Sequence, residues 1–334
     1  MTAAPGLVET ARARPIEALG RWARRNAWSI GLLGFFVVLL VFTKLIQPKY
    51  GVTGVQGLAI SVLPLALAAV GQAIVVISGG IDLSIGSMMA LTNVVSAALM
   101  LDRSEELSVI VVVGVLVLGL LLGAVNGALV VITRVPDIVV TLAMAFVWAG
   151  AALLVLKTPG GGSADWLKEL VLGPLGSEWI PKAAVVLVLV VALIWLPVRR
   201  SRVGLSLYAI GSNQLAAFRS GVPVGRTKIL AYSLMGLFAA LAGLSLTANT
   251  GIGNPLSGSY TLQSVAAVVL GGVSLAGGRG GVLGPVVAVL ILALLRTDMT
   301  FLNLNPNFAT SAQGIILIGV VMVGTLFQIR RGRA

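Results

Sequence analysis

The chain has 334 residues, of which 58% are hydrophobic and only 10% are charged, and its formal net charge is +12 at pH 7. Because a soluble domain carries about 25% charged residues, this composition excludes a water-soluble globular protein and indicates an integral membrane protein. Neither cysteine nor histidine is present, which excludes disulfides, Fe–S clusters and the commonest metal ligand and general base. The apolar runs are long and continuous, so we expect an all-α membrane protein rather than a barrel of alternating strands.

Ten apolar segments predict about ten transmembrane helices, which together form a membrane domain at residues 28–327. A bilayer core requires roughly 20 residues of helix, so the eighth and ninth segments are short. These two are predicted to be either two thin crossings or one re-entrant hairpin. The ten segments are Trp28–Gln47, Val55–Ile77, Ser84–Leu101, Leu107–Ile132, Ile138–Leu156, Ala183–Pro197, Ile229–Leu246, Leu262–Leu275, Val282–Leu295 and Gly314–Phe327.

The distribution of lysine and arginine predicts the orientation of these spans. With the N-terminus inside, most of the 23 basic residues fall in cytoplasmic segments, and most of the 11 acidic residues fall outside. Both termini are therefore expected in the cytoplasm: residues 1–27 as an amphipathic helix or a frayed basic tail, and residues 328–334 as a basic tail. This bias explains the basic pI without nucleic acid. The longest outside loop, Lys157–Lys182, contains a Gly/Ser piece that is predicted to be flexible.

Two stretches of the sequence resemble each other. Val75–Ser87 (VVISGGIDLSIGS) and Ala267–Gly281 (AVVLGGVSLAGGRGG) both place a Gly-Gly pair, an apolar residue, a polar residue and a leucine after an apolar run. Transporters are often built from repeated halves. We therefore expect two pseudo-repeated halves, with five spans on either side of the stretch that begins at Tyr208.

The stretch Tyr208–Ile229 (YAIGSNQLAAFRSGVPVGRTKI) is polar and basic, although apolar runs flank it on both sides. It ends a predicted cytoplasmic loop at residues 198–228. Ser212 or Asn213 is a suitable N-cap, and Gly221 occupies the place of a C′ glycine, so a short helix is predicted between them.

Leu215 and Phe218 fall on one face of this predicted helix. Such an apolar ridge in the cytosol indicates docking into a groove of another protein, with a helix lying on the lipid surface as the alternative. The segment that would make the contact comprises Ser212, Asn213, Leu215, Ala216, Ala217, Phe218, Arg219, Ser220 and Gly221.

Asp82 is the acidic residue within an otherwise apolar block, in SGGIDLSIGS. A carboxylate at membrane depth requires a partner or water, so Asp82 is either a gate or lining position or a structural cap of the next helix, a role that Ser84 could share. Neutral polar residues in or near the spans suit a neutral hydrogen-bonding solute, or else join helices. Those assigned to the candidate pathway are Gln72, Asn93, Asn126, Thr141 and Gln263. Gly119, Gly123 and Gly127 predict close helix packing.

Two absences bear on the energy source. Asp82 alone offers little intramembrane charge for coupling to protons or sodium ions, and the chain contains no G-x-x-x-x-G-K-[ST] motif. A chain that moves solute uphill would therefore need an energised cytoplasmic partner. A membrane enzyme is disfavoured because histidine, cysteine and clustered acids are missing.

Four motifs resemble the permease subunits of bacterial ABC importers of the ribose/monosaccharide type, in the same order and spacing. The similarity covers about residues 55–323. One departure is Asp137, where relatives often have a small or apolar residue, and we expect it to pair with Arg134. The motifs are SGGIDLSIGS, NGALVVITRVPDIVVTLA, YAIGSNQLAAFRSGVPVGRTKILAY and VAAVVLGGVSLAGGRGGVLGP.

The resemblance implies a set of partners and a bacterial inner-membrane location. They are a second permease subunit, identical or paralogous, a cytoplasmic ABC ATPase that binds ATP and Mg, and a periplasmic or lipid-anchored binding protein. No cofactor is expected in this chain. The segment at residues 212–221 matches the family's coupling segment, and the motif around Asp82 and Ser84 matches the base of the pathway.

These observations predict the membrane-spanning subunit of an ATP-driven importer for a small neutral polyhydroxylated solute, with a monosaccharide favoured. Sister permeases carry autoinducer-2, nucleosides or branched-chain amino acids, and these remain alternatives. A stand-alone channel or a secondary carrier is a different class of alternative.

Overall fold

A computed structural model describes residues 27–256 and 258–304, together with residues 311, 314, 315, 319 and 322. The predictions for residues 1–26 and 328–334, and most of the tenth span, lie outside these residues. The described helices are α1 (Ala27–Ile46), α2 (Val52–Ile77), α3 (Ile85–Met100), α4 (Glu105–Thr133), α5 (Asp137–Val155), α6 (Asp165–Val171), α7 (Lys182–Arg200, with a π turn at Val191–Trp195), α8 (Arg202–Ser212), α9 (Gln214–Arg219), α10 (Val224–Thr250), α11 (Tyr260–Leu270) and α12 (Leu283–Phe301). A small hairpin of β1 (Pro174–Leu175) and β2 (Ser177–Pro181) precedes α7.

Seven of the described helices are long and apolar enough to cross a membrane, namely α1, α2, α4, α5, α7, α10 and α12. Two shorter apolar helices, α3 and α11, have 16 and 11 residues. The part of the chain that the structure describes is thus helical apart from the small hairpin, as predicted for an α-helical membrane protein. The prediction that the ninth span is short is wrong. The predicted span ends at Leu295, whereas α12 continues to Phe301 and has 19 residues in all. It continues because the buried Asp298 accepts a hydrogen bond from the Thr43 hydroxyl of α1 at 2.7 Å.

The packing of α4 against α10 confirms the predicted role of the α4 glycines. A Cβ atom on Gly123 would lie 2.1 Å from the Tyr232 carbonyl oxygen, and one on Gly119 would lie 2.5 Å from the Gly236 carbonyl oxygen. Only glycine, whose side chain is a single hydrogen atom, allows the two backbones to approach this closely. Together with α2, which is buried from Val62 to Ile77, α10 forms the centre of the bundle.

Segments predicted to share one side of the membrane meet at the same end of the bundle. At the end predicted to be cytoplasmic, the Trp28 indole donates to the Leu270 carbonyl at 2.9 Å. At the opposite end, Gly160 and Gly253 exchange backbone hydrogen bonds. The Gly/Ser piece of the long outside loop is therefore held to the bundle rather than free, and α6 and the hairpin follow it.

The two similar stretches end their helices in the same way. Gly79 (φ +82°) follows α2 and Gly272 (φ +80°) follows α11, and both have left-handed backbones that close Schellman-type hydrogen bonds. The left-handed residue is the first glycine of the pair after α2 and the second glycine of the pair after α11, so the structural match is shifted by one position from the sequence match. It relates the second apolar helix to the eighth, and six apolar helices precede Tyr208, so the expectation of five spans on either side is wrong.

Candidate functional site

The short helix α9 has the caps that the sequence predicts. The Asn213 side chain accepts a hydrogen bond from the Ala216 amide at 2.9 Å, so Asn213 rather than Ser212 is the N-cap. Beyond the helix, Gly221 adopts φ +82°, and the Val222 amide donates to the Ala217 carbonyl at 3.1 Å. Both ends of this six-residue helix are therefore fixed by local hydrogen bonds.

The outer face of α9 is apolar and exposed. Leu215 is 58% exposed and Phe218 is 67% exposed, whereas Ala217 is buried against the bundle. Around this ridge, the exposed small and polar members of the segment are Ser212, Asn213, Ala216, Arg219, Ser220 and Gly221. A short helix with fixed ends and a protruding aromatic side chain provides a firm surface for a partner.

Backbone contacts connect α9 to the interior through a set of glycines, which we call the glycine junction: Gly79, Gly211, Gly277 and Gly278. The Gly278 amide donates to the Ile77 carbonyl at 2.9 Å, which joins the turns after α2 and α11. Gly211, two residues before the α9 N-cap, packs into this contact, and a Cβ atom there would lie 2.0 Å from the Ile77 carbonyl oxygen. The segment before α9 thus touches both turns with no intervening side chain.

Asp82 lies in the linker between α2 and α3 and is fully buried. Its Oδ1 accepts from the Ser84 amide and hydroxyl, both at 2.6 Å, and its Oδ2 accepts from Asn126 Nδ2 at 3.1 Å. Ser84 occupies the N-cap position of α3, but neither its side chain nor that of Asp82 accepts a capping hydrogen bond from the first turn. The structural-cap prediction is wrong in this detail, because the Thr261 hydroxyl of α11 accepts from the Gly86 amide at 3.1 Å instead.

Further polar groups complete the cluster around Asp82. The Gln72 side-chain amide is oriented so that its nitrogen and its oxygen both form hydrogen bonds with the Asp82 backbone. Its nitrogen donates to the Asp82 backbone carbonyl at 3.0 Å. The Thr141 hydroxyl accepts from the Leu83 amide at 3.1 Å, and the Trp148 indole donates to Asn126 Oδ1 at 3.2 Å. Burial raises the pKa of the Asp82 carboxyl, while the hydrogen bonds from Ser84 and Asn126 oppose the rise.

The structure therefore brings together five of the seven predicted pathway residues, namely Gln72, Asp82, Ser84, Asn126 and Thr141. The other two lie elsewhere. Asn93 faces α10, where its Nδ2 donates to the Thr247 hydroxyl at 2.8 Å. Gln263 lies in the first turn of α11, beside Ser259.

Asp137 does not pair with Arg134 as expected. Its Oδ2 lies 3.5 Å from Lys228 Nζ and accepts from the Tyr232 hydroxyl at 2.7 Å. Asp137 begins α5, whereas Lys228 and Tyr232 belong to the first turns of α10. Because the side chains of Asp137 and Lys228 are only 17% and 12% exposed, this ion pair is shielded from solvent. Sequence analysis missed it, since partners 91 positions apart leave no local pattern.

We expect this ion pair to contribute measurably to stability. In a double-mutant cycle of Lys228→Met and Asp137→Asn, the coupling free energy should be about 1–3 kcal/mol, because removing one charge leaves the other buried. Thermal unfolding of the purified protein in detergent measures it. The control is the exposed pair of Lys168 and Asp165, where the same cycle should give less than about 0.5 kcal/mol. Equal coupling in the two cycles would contradict the prediction.

Comparison with known proteins identifies the family. A family model described as branched-chain amino acid transport system / permease component matches residues 54–326. The chain is 31% identical over 314 residues to the ribose import permease protein of Escherichia coli strain K12, with 91% of this chain and 96% of that protein covered. It is 32% identical over 301 residues to the ribose import permease protein of Bacillus subtilis strain 168, with 87% and 90% covered.

More distant relatives extend the comparison. The autoinducer 2 import system permease protein of Yersinia enterocolitica is 29% identical over 328 residues, with 92% of this chain and 94% of that protein covered. No solved structure matches the chain. The family model spans most of the membrane domain and includes α9, the glycine junction and the Asp82 cluster. This chain therefore belongs to the family of branched-chain amino acid transport system permease components.

Proposed function

We propose that the chain is the membrane-spanning permease subunit of an ABC importer for a monosaccharide, in the bacterial inner membrane. The observation that carries the proposal is similarity to ribose import permeases over about nine-tenths of both chains. The predicted pathway residues other than Asp82 are neutral, which supports a polyhydroxylated solute rather than an ion. Relatives named for autoinducer 2 and D-allose make those solutes the nearest alternatives to a pentose.

The proposal includes partners outside this chain. An ABC ATPase with ATP and Mg would dock on α9 from the cytoplasm, and a periplasmic or lipid-anchored binding protein would deliver the solute. Leu215 and Phe218 would fill a groove of the ATPase. A second permease subunit would complete the pathway, and ten spans with both termini cytoplasmic would give the topology.

The glycine junction gives this assembly a route for mechanical coupling. A displacement of α9 by the ATPase would move α8, whose Gly211 contacts the turns that follow α2 and α11. Those turns lie at the inner ends of two helices in the interior of the bundle. Alternating access would then follow from rigid-body tilting of these helices, without a coupling ion in the membrane.

Reconstitution tests the proposal against a stand-alone channel or carrier. Proteoliposomes that contain the permease, its ATPase and its binding protein should accumulate D-ribose only when ATP is supplied on the ATPase side. Proteoliposomes with the permease alone should show no uptake above protein-free vesicles. ATP-independent uptake by the permease alone would favour the channel or carrier and would contradict the proposal.

A further inference from the structure

We infer that a neutral cavity between α3, α10 and α11 is a solute-binding site of this permease and that Tyr260 is its main solute contact. The ligand class is a neutral polyhydroxylated molecule of monosaccharide size. This inference rests on the proposed function and adds to it a location and a residue. It replaces the predicted pathway residue Asn93 as the direct contact.

The cavity is small and has the chemistry of such a site. Its volume is about 180 Å³, which is smaller than the roughly 300–1,000 Å³ of clefts that hold drug-sized ligands. Its walls include Met89 and Ala90 of α3, Thr250 of α10, and Asn254 and Tyr260. All of its lining residues are uncharged, so the site offers hydrogen bonds and apolar contact but no counter-charge for an ion.

Tyr260 lies in the wall of this cavity and in the wall of a larger space. The larger space is a groove of about 720 Å³ between α2, α11 and α12, in which Gln263 lies. The described residues provide no hydrogen-bond partner for the Tyr260 hydroxyl, so that group is free to donate to and accept from a solute.

The amide of Asn93, in contrast, is already occupied. Its Oδ1 accepts from the Asn254 amide at 2.7 Å, and its Nδ2 donates to the Thr247 hydroxyl at 2.8 Å. Asn93 is therefore a positioning residue that holds the loop after α10 against α3. On the other side, the hydrogen bond from Gly86 to Thr261 fixes the start of α11, next to Tyr260. Hydrogen bonds thus hold the cavity walls on two sides, which favours selective binding.

Two Tyr260 variants test the site in the complete reconstituted importer. Tyr260→Ala should lower ATP-driven D-ribose uptake about tenfold or more, because it removes both the ring and the hydroxyl. Tyr260→Phe should lower uptake by roughly threefold, since it keeps the ring and loses one hydrogen bond. The matched control is Tyr50→Phe, which removes a hydroxyl that donates to the Gly54 carbonyl and does not line the cavity, and it should transport normally.

A labelling experiment locates the solute independently of transport. Because the chain contains no cysteine, Ala90→Cys would introduce a unique thiol in the cavity wall. D-ribose or D-allose at saturating concentration should slow its reaction with a water-soluble thiol reagent severalfold. Glu106→Cys, exposed in the first turn of α4 in a segment predicted to lie outside the membrane, should react without such protection.

The outcomes separate this inference from the proposed function. Normal uptake by Tyr260→Ala, or equal labelling of Cys at position 90 with and without sugar, would overturn the binding site and leave the importer assignment intact. Absence of ATP-driven uptake in the unmodified complex would overturn the proposed function. In that case, sugar protection at position 90 would still support the site, and its absence would overturn it.

Discussion

Phe218→Asp is expected to abolish both solute uptake and solute-stimulated ATP hydrolysis in the reconstituted complex. Phe218 is 67% exposed at the tip of α9, where its ring has few neighbours within the chain. If the ring fills a groove of the ATPase, a carboxylate in its place would be buried without a partner. Aromatic residues at interface centres commonly contribute 2 kcal/mol or more, so docking should weaken by at least roughly 30-fold.

Phe218→Leu is the matched control, because it keeps an apolar side chain at the same position and should retain most of the coupled activity. Both variants should reach the membrane in normal amounts, since neither change affects the Asn213 cap or the buried face at Ala217. Pull-down of the ATPase by each purified permease variant measures docking directly. Full stimulated ATPase activity in Phe218→Asp would contradict the coupling role, and it would favour a helix that lies on lipid.

Local signals allowed the sequence to predict much of the helical framework and nearly all of α9. A cap residue, an apolar ridge and a left-handed glycine act within one or two turns, so their pattern specifies the helix directly. The glycines of α4 were equally informative, because close packing against α10 requires that spacing.

The ends of spans were less predictable from hydropathy. The predicted ninth span stops before Arg296, whereas α12 continues because a distant hydroxyl, that of Thr43, accommodates the buried Asp298. A prediction from local hydropathy assigns charged and polar residues near a helix end to the following loop. Whether they extend the helix depends on a partner in another helix, which the sequence does not place.

The candidate site shows the same limit more strongly. The sequence identified Asp82, Asn126 and their neighbours as unusual polar groups, and the structure gathers four of them around the fifth, Asp82. It did not reveal that these groups form hydrogen bonds with one another and with the backbone of the linker after α2. The groups left free, such as the Tyr260 hydroxyl, are inconspicuous in sequence because tyrosine is ordinary at the start of a helix.

Gly123→Ala is expected to destabilise the protein by about 3 kcal/mol or more and to reduce the amount of folded permease. A Cβ atom at this position would lie 2.1 Å from the Tyr232 carbonyl oxygen and 2.8 Å from its carbonyl carbon. Both are backbone atoms of α10, so relief requires the two central helices to move apart. Overpacking in a close-packed interior usually costs 1–3 kcal/mol even where side chains can adjust, and here the obstacle is backbone.

Gly114→Ala, nine positions earlier in α4, is the matched control with the opposite expected sign. No atom lies within 4 Å of a Cβ atom built there. The substitution should therefore be neutral or stabilise α4 by up to about 1 kcal/mol through helix propensity. Thermal unfolding of both variants in the same detergent measures the difference. If Gly123→Ala unfolds at the same temperature as Gly114→Ala, then α4 and α10 are not packed backbone to backbone. The position of Tyr232 beside Asp137, which depends on this packing, would then also be contradicted.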